Sequence, residues 1–432
     1  MLTSATAFPT LRTEIAGVHV VELARQFGTP TFVYDATKIV ERIDDLRAFD
    51  TIRYAQKACS NIAILDLIRR QDVLIDAVSA GEIARAFAAG YLAAGDPPPI
   101  VYTADIFDRE SLEVVVAKEI HVNCGSPDML DQLGPRAPGR NVTLRINPGF
   151  GHGHSRKTST GGEQSKHGVW HEQLVDCLRR ADHHGLVISG LHLHIGSGTD
   201  LEHLSQVCSA MEKLAREVGR SLNTISAGGG LPVPYKAGEA YVDLEVYFRL
   251  WDTTRKRLED AFGHALRLEI EPGRYLVAES GFLVAEIRAI KQMGGNTFYL
   301  LDAGFNNVAR PILYGAYHPM SIVPARVDGG AADRGAARPL RDVVVGGPLC
   351  ESGDIFTQAE GGIVCTRRLP AAEVGELLVI ENAGAYGFAM GSNYNSKPLA
   401  AEVLIDKGTP RLVRLRQTVE DLLRGETIPN GN

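Results

Sequence analysis

The stretch "TIRYAQKACSNIAILDLIRRQDVLIDAVS", residues 51–79, decides the fold. It opens on a β-rich alternation, "TIRYAQK" (51–57), and passes through "IAILDLIRR", where apolar residues recur at three- and four-residue spacing. It then returns to a β-rich run, "DVLIDAVS" (72–79). Strand, helix and strand in that order form the unit of a parallel sheet, because parallel neighbours can be joined only by a long crossover.

The pattern continues outward from this unit. Further candidate strands are "IVYTA" (100–104), "IHVNC" (120–124), "NVTLRINP" (141–148), "LVISGLHLHI" (186–195), "NTISAGGG" (223–230) and "LRLEIEPG" (266–273). Amphipathic runs such as "AGEIARAFAAG" and "LEHLSQVCSAMEKLAREVG" lie between them. Eight strands alternating with helices is the count for a parallel (β/α)8 barrel, and an open doubly wound sheet is the rival with the same pattern. After Gly281 the periodicity changes. "FLVAEIRAIKQM", "TFYLLDAG", "RDVVVGG" and "GELLVIEN" alternate with Gly-rich turns, which reads as a β domain, and "TPTFVYD" (29–35) reads as a strand outside the barrel. The expectation is an α/β chain with a TIM-like barrel over 35–279. A second, mostly β domain would span 280–432 and be completed by a strand from residues 1–34. "VDGGAADRGAARPLR" (327–341) reads as an exposed Gly/Ala loop, and no internal repeat is visible.

Composition narrows the function classes. Of 432 residues, 44% are hydrophobic and 22% charged, as in a soluble globular protein, and the net charge of -7 is dispersed. No basic run offers a surface for nucleic acid. The start, "MLTSATAFPTLRTE", lacks the basic and apolar regions of a secretory signal. No apolar run approaches the roughly 18 to 20 residues needed to span a bilayer. The six cysteines include no CxxC pair, so they read as reduced thiols of a cytoplasmic enzyme.

Barrel enzymes build their sites at the C-terminal ends of the strands, often with a phosphate held after strands 7 and 8. Lys57 ends the first strand, Asp76 sits on the second and Arg145 on the fifth. The sixth strand ends in "HLHIGSG", with His192, His194 and Ser197. Gly228, Gly229 and Gly230 follow the seventh strand, and "EPGR" (271–274) follows the eighth. Each element has an ordinary reading. A strand-end lysine can be a solvated charge, "GGG" a turn and "EPGR" a structural salt bridge. The HxH could be a metal pair, although no third ligand has matching spacing. His152, His154, His167, His183 and His184 read as loop and surface residues. Taken together, bare glycine amides with a guanidinium suit a phosphate. A lysine, a carboxylate and a flat imidazole beside them match the needs of pyridoxal phosphate, a small-molecule cofactor with an aldehyde and a ring nitrogen.

At this point the chain resembles the two-domain fold-type III pyridoxal phosphate decarboxylases, over nearly its whole length. The likeness rests on "YAQKACSN", "HLHIGSG", "SAGGGLPVPY", "EIEPGRYLVAESG", "GPLCESGDIF" and "GAYGFAMGSNYNS", in the expected order. It implies pyridoxal 5'-phosphate bonded to Lys57, His194 stacked on its ring, and Asp76 and Arg145 nearby. It implies that Ser197, Gly229, Gly230, Gly273, Arg274 and Tyr386 hold the phosphate, and that Glu271 pairs with the ring nitrogen. Cys350 would donate a proton after carbon dioxide leaves, from the partner subunit of a homodimer with shared sites. The resemblance is strongest for the branch acting on a diacid with an amino-acid group at each end. There Arg274, Arg310, Tyr314 and Tyr386 would contact substrate, with Glu351 on the distal ammonium. Arg310, in "NNVARPILYGAYH", discriminates this branch, since arginine's planar fork grips carboxylate bidentately. Relatives acting on ornithine, arginine or a carboxylated polyamine, a racemase, and a non-catalytic cofactor-binding protein are the alternatives. The chain departs from many relatives at Lys397 and Leu399, and in a longer loop, "GFGHGHSRKTSTGGEQSKHG" (149–168), expected to act as a lid.

Overall fold

A computed structural model of the chain describes residues 6–151, 161–194, 201–219, 221–324 and 338–429. The chain divides into two compact units. One comprises residues 39–233 and 241–276, and the other residues 1–38, 234–240 and 277–432.

The first unit is a closed barrel. Its eight strands are Thr51–Ala55, Leu74–Ala77, Ile100–Ala104, His121–Cys124, Asn141–Asn147, Val187–Leu193, Thr224–Ser226 and Arg267–Ile270. Each pairs in parallel with the next, and the last returns to the first through Glu269 opposite Thr51 and Ile270 opposite Ile52. That closing pair removes the open-sheet alternative. A ninth short strand, Val169–Trp170, pairs in parallel with Ile146 and Asn147, beyond Leu144, the last residue that His121–Cys124 reaches. The sequence patterning does not anticipate it, because two residues carry no period.

Alternation along the strands explains how the barrel is filled. Ile52, Tyr54, Ile75, Tyr102, Val122, Leu144, Leu191, Ile225, Leu268 and Ile270 form one buried apolar set. The opposite set is polar: Arg53, Asp76, Thr103, Asn123, Thr143, Arg145, His192, Ser226 and Glu269, all buried. The register places Thr103 beside Asn123, Asn123 beside Thr143, Arg145 beside His192 and His192 beside Ser226. Where bulky aliphatic layers usually fill such a barrel, this one holds hydrogen-bonded polar groups. Arg53 anchors them. Its guanidinium donates to both oxygens of Glu269 at 2.7 and 2.9 Å and to the Pro98 carbonyl at 2.6 Å. A cavity of about 300 Å³ lies beside this pair, lined by polar side chains that include His121, Asn141, Ser189 and Arg267. Gly190 is required by close packing here, since a Cβ on it would lie 2.3 Å from the Thr143 hydroxyl.

The second unit is a β-sheet built from both halves of the chain. Its strands run in the order Arg367–Pro370, Leu340–Gly346, Asn296–Leu301, Gly281–Met293, Thr31–Asp35, Ala401–Asp406 and Thr409–Arg414. Met320–Val323 and Leu377–Ile380 pair beside the long strand Gly281–Met293. Val33, Val284, Val379, Val403 and Ile405 pack with Val20 and Leu23 of the helix Val20–Phe27 to form its core. Residues 325–337, most of the expected Gly/Ala loop, lie outside the described residues. Arg338 beyond them donates to both oxygens of the buried Glu376 at 2.7 and 2.8 Å.

Candidate active site

The first barrel strand stops at Ala55, two residues short of the expected end, and Lys57 lies on a 3-10 turn, Gln56–Ala58. Tertiary bonds explain the difference. The Gln56 side-chain amide donates to the Glu82 carbonyl at 3.1 Å, and the Tyr54 hydroxyl donates to the Cys59 carbonyl at 2.9 Å. The turn buries Gln56 and Ala58 and leaves Lys57 exposed. Asn61 then caps the following helix through the Ala63 amide, so the strand, the turn and the helix start fix the base of the lysine.

Below this turn lies the charged centre of the barrel. The buried Glu271 carboxylate accepts from His192 Nε2 at 2.6 Å and from the Ser226 hydroxyl at 3.2 Å. Burial alone would raise its pKa, but His192, Arg53 and Arg145 together hold it below the usual carboxylate range. Asp76 behaves oppositely. Burial and the charge of Glu271 push it up to about 8, against the Thr103 hydroxyl and Lys57. Two carboxylates with pKa values pushed apart can divide their roles, one anionic and one protonated. Burial, followed by Arg145 and Lys57, drives His194 well below the ordinary imidazole range. Its Nδ1 accepts from the Gly229 amide at 3.2 Å, so the ring is neutral.

The glycine turn after the seventh strand is shaped by backbone demands. Gly228 and Gly230 have φ of +63° and +99°, and a Cβ on Gly229 would sit 2.4 Å from the Glu271 carbonyl oxygen. Gly273 and the half-buried Arg274 follow Glu271, and Arg274 opens the short helix Arg274–Val277. The barrel unit therefore brings Lys57, Asp76, Arg145, His194, Gly229, Gly230, Glu271, Gly273 and Arg274 to the C-terminal ends of its strands. Ser197 and residues 152–160 of the expected lid lie outside the described residues.

The remaining sequence candidates belong to the β unit. Arg310 is buried and starts the helix Arg310–Tyr314, whose last residue, Tyr314, is half-buried. Tyr386 is half-buried with φ of +59°, a conformation a bulky residue adopts only when its surroundings impose it. Cys350 and Glu351 are exposed on a turn that Asp354 organises by accepting from the Leu349 and Phe305 amides at 2.8 and 2.7 Å. The Cys350 amide donates to the Asn395 side chain at 2.7 Å.

Sequence reasoning passed over several partners. His192 was legible only as half of an HxH pair, and its bond to Glu271 comes from two strands meeting in the ring. Asp105, at the end of the third strand, accepts from His167 Nδ1 at 2.7 Å and from the Gly168 amide at 2.9 Å. Burial would raise Asp105, yet these bonds and Arg145 hold it down, to about 2. So His167, a half-buried loop residue, tethers the loop's return end. Among the described residues no group of three His, Cys, Asp or Glu side chains could hold a metal ion.

These residues fit pyridoxal phosphate. The same end of the barrel carries an accessible lysine, a neutral imidazole, an anionic carboxylate and a glycine cradle that a Cβ would fill. The buried Asp76 Oδ1 has no hydrogen-bond partner among the described residues. The comparisons agree. Residues 37–278 match the pyridoxal binding domain of the pyridoxal-dependent decarboxylases. The chain is 54% identical to a diaminopimelate decarboxylase of Streptomyces coelicolor, over 98% of this chain and 94% of that one. It is 52% identical to one of Escherichia coli strain K12, over 96% and 98%. A crystal structure of diaminopimelate decarboxylase superposes with a TM-score of 0.91 at 52% identity, covering 96% of this chain and 98% of that one. A Helicobacter pylori diaminopimelate decarboxylase complexed with L-lysine gives a TM-score of 0.82 at 30% identity, covering 93% and 98%. Polar barrel, glycine cradle and full-length likeness converge: the chain belongs to the pyridoxal-dependent decarboxylase family.

Proposed function

We propose that the chain removes one carboxylate from meso-2,6-diaminopimelate to give L-lysine and carbon dioxide. The observation that carries the chemistry is the Glu271 carboxylate, buried yet held ionised by His192. Such a group keeps a proton on the ring nitrogen it meets. Bound pyridoxal phosphate supplies a ring that accepts the electron pair left by the departing carboxylate. Lys57 would supply the amine that holds the cofactor through its aldehyde carbon. The Gly229–Gly230 turn, Gly273 and Arg274 would hold its phosphate, and neutral His194 would offer a flat face to the ring. Asp76 and Arg145 line the same end of the barrel. The buried, anionic Glu271 would stabilise positive charge at the ring nitrogen by proximity.

The substrate assignment follows the full-length likeness to diaminopimelate decarboxylases and the presence of Arg310. Arg310 and Tyr314 would take the carboxylate of the distal amino-acid head, and Glu351 its ammonium. Cys350 returns a proton to the carbon that lost its carboxylate. In the same reading two copies form a homodimer with shared sites in the cytoplasm, Cys350 and Glu351 serving the partner's barrel.

The test is direct. Purified, cofactor-loaded protein given meso-diaminopimelate should release carbon dioxide and L-lysine in equal amounts. Ornithine and arginine should react slower by on the order of 10²-fold or more, since they leave the distal carboxylate site unfilled. Loss of α-hydrogen without carbon dioxide would indicate a racemase. Faster turnover of ornithine or arginine would overturn the substrate assignment.

A further inference from the structure

Arg310 Nη1 lies 2.9 Å from Nε2 of His318, a residue with no exposed surface. The other ring nitrogen, Nδ1, lies 2.9 Å from the Glu381 carbonyl oxygen. Guanidinium only donates and a carbonyl only accepts, so both proton positions are determined. His318 carries its hydrogen on Nδ1, donates to Glu381, and accepts from Arg310 on a bare Nε2. The imidazole is neutral and fixes one guanidinium nitrogen without bringing a negative charge to it.

The anchor behind His318 is itself rigid. The Glu381 side chain accepts from Arg12 at 3.0 and 2.9 Å and from the Ser321 hydroxyl at 2.9 Å, and its amide donates to the Pro319 carbonyl at 2.9 Å. Tyr235 closes the other side. The Arg310 guanidinium carbon stands 4.7 Å from its ring centroid, and the His318 ring meets the same ring edge-on at 5.4 Å. Asn382 ties that tyrosine's neighbour in place by donating to the Pro234 carbonyl at 2.9 Å. A buried histidine could serve packing alone. Packing, however, does not require both ring nitrogens to be committed in line between a pinned carbonyl and an arginine.

We infer that His318 is a positioning residue for substrate recognition: it orients Arg310 so that the guanidinium meets the distal carboxylate of the substrate. This rests on the assignment of Arg310 to that carboxylate. A planar fork recognises carboxylate only when its rotation is set, so losing the anchor weakens binding of the distal head while the reacting end is untouched.

The experiment uses cofactor-loaded full-length protein. His318→Phe removes the acceptor, and His318→Gln restores a side-chain oxygen for Arg310 and an amide for the Glu381 carbonyl. The Phe variant should raise KM for meso-diaminopimelate about tenfold or more, with kcat and cofactor absorbance within about twofold of wild type. Inhibition by L-lysine, which keeps the distal amino-acid head, should weaken in parallel. Inhibition by 1,5-diaminopentane, which lacks every carboxylate, should not change. The Gln variant should recover most of the loss. Should the Phe variant fail to fold in a thermal melt, His318→Asn, too short to span both partners, takes its place with the same expectation. Arg310→Ala separates the two assignments. If it raises KM and the L-lysine inhibition constant while His318→Phe changes neither, the positioning role is wrong and Arg310 stands. If Arg310→Ala itself leaves both unchanged, the assignment of Arg310 fails and this inference falls with it. A Phe variant weakened equally towards L-lysine and 1,5-diaminopentane also overturns it, because that pattern is general damage.

Discussion

Glu271 and Asp76 show how two like groups acquire different tasks within one polar barrel. Glu271 has His192 and Ser226 as donors and stays anionic, whereas Asp76 is buried beside that anion and holds its proton. Glu271→Gln should therefore retain cofactor but lower kcat by on the order of 10²- to 10³-fold in a lysine-release assay. Asp76 gives a pH signature. Its carboxyl titrates at about 8 in the folded chain against an ordinary 3.8. A carboxyl raised by folding contributes stability while protonated; that contribution is full below about pH 4 and is lost as pH rises towards 8. Cofactor-free Asp76→Asn protein cannot lose it, so its melting temperature should exceed that of wild type by a margin that widens between about pH 5 and pH 8.5. A constant margin would contradict the assignment. At this scale Lys57, Glu271 and the glycines were legible because alternation and strand ends place them on one rim. His192 and His318 were not, since their roles come from partners on other strands and loops.

At the scale of elements, each barrel strand writes its two faces into the chain, as in "LRIN" and "LEIE", and so all eight were readable from period alone. Where that face carries charge the ring must satisfy it internally. Arg53 on the first strand and Glu269 on the last close the barrel with side chains as well as backbone. Removing one partner strands a buried charge, so Glu269→Ala should cost about 3–5 kcal/mol and lower the melting temperature accordingly. The double change Arg53→Met with Glu269→Leu should recover most of that loss, because an apolar pair leaves no unpaired charge. The turn at Lys57 and the strand Val169–Trp170 escaped pattern reading. The first is imposed by Glu82 and Cys59, the second by an existing strand edge, and neither has a periodic signal.

For the whole molecule, the β unit takes in residues 277–432 and also residues 234–240, which no change of periodicity sets apart. They group with the β unit through Thr6 and Asn382, partners 233 and 148 positions distant. The proposed sharing of sites between two copies is testable at this scale. Lys57→Ala and Cys350→Ala proteins should each be nearly inactive. Mixed under conditions that exchange subunits, they should regain about a quarter of wild-type activity, because half of the dimers are mixed and each has one intact site. No recovery would place both residues in one copy's site. The sheet order of the β unit also has a consequence for biosynthesis. Thr31–Asp35 is flanked by Gly281–Met293 and Ala401–Asp406, and Tyr34 bonds Glu402, 368 residues later. At ribosomal speeds of about 5–20 residues per second, this apolar ribbon emerges about 20 to 75 s before its last neighbour. Every barrel strand is translated within that interval. The nascent chain thus carries a sticky N-terminal edge beside an already foldable domain, a natural client for chaperones until translation ends.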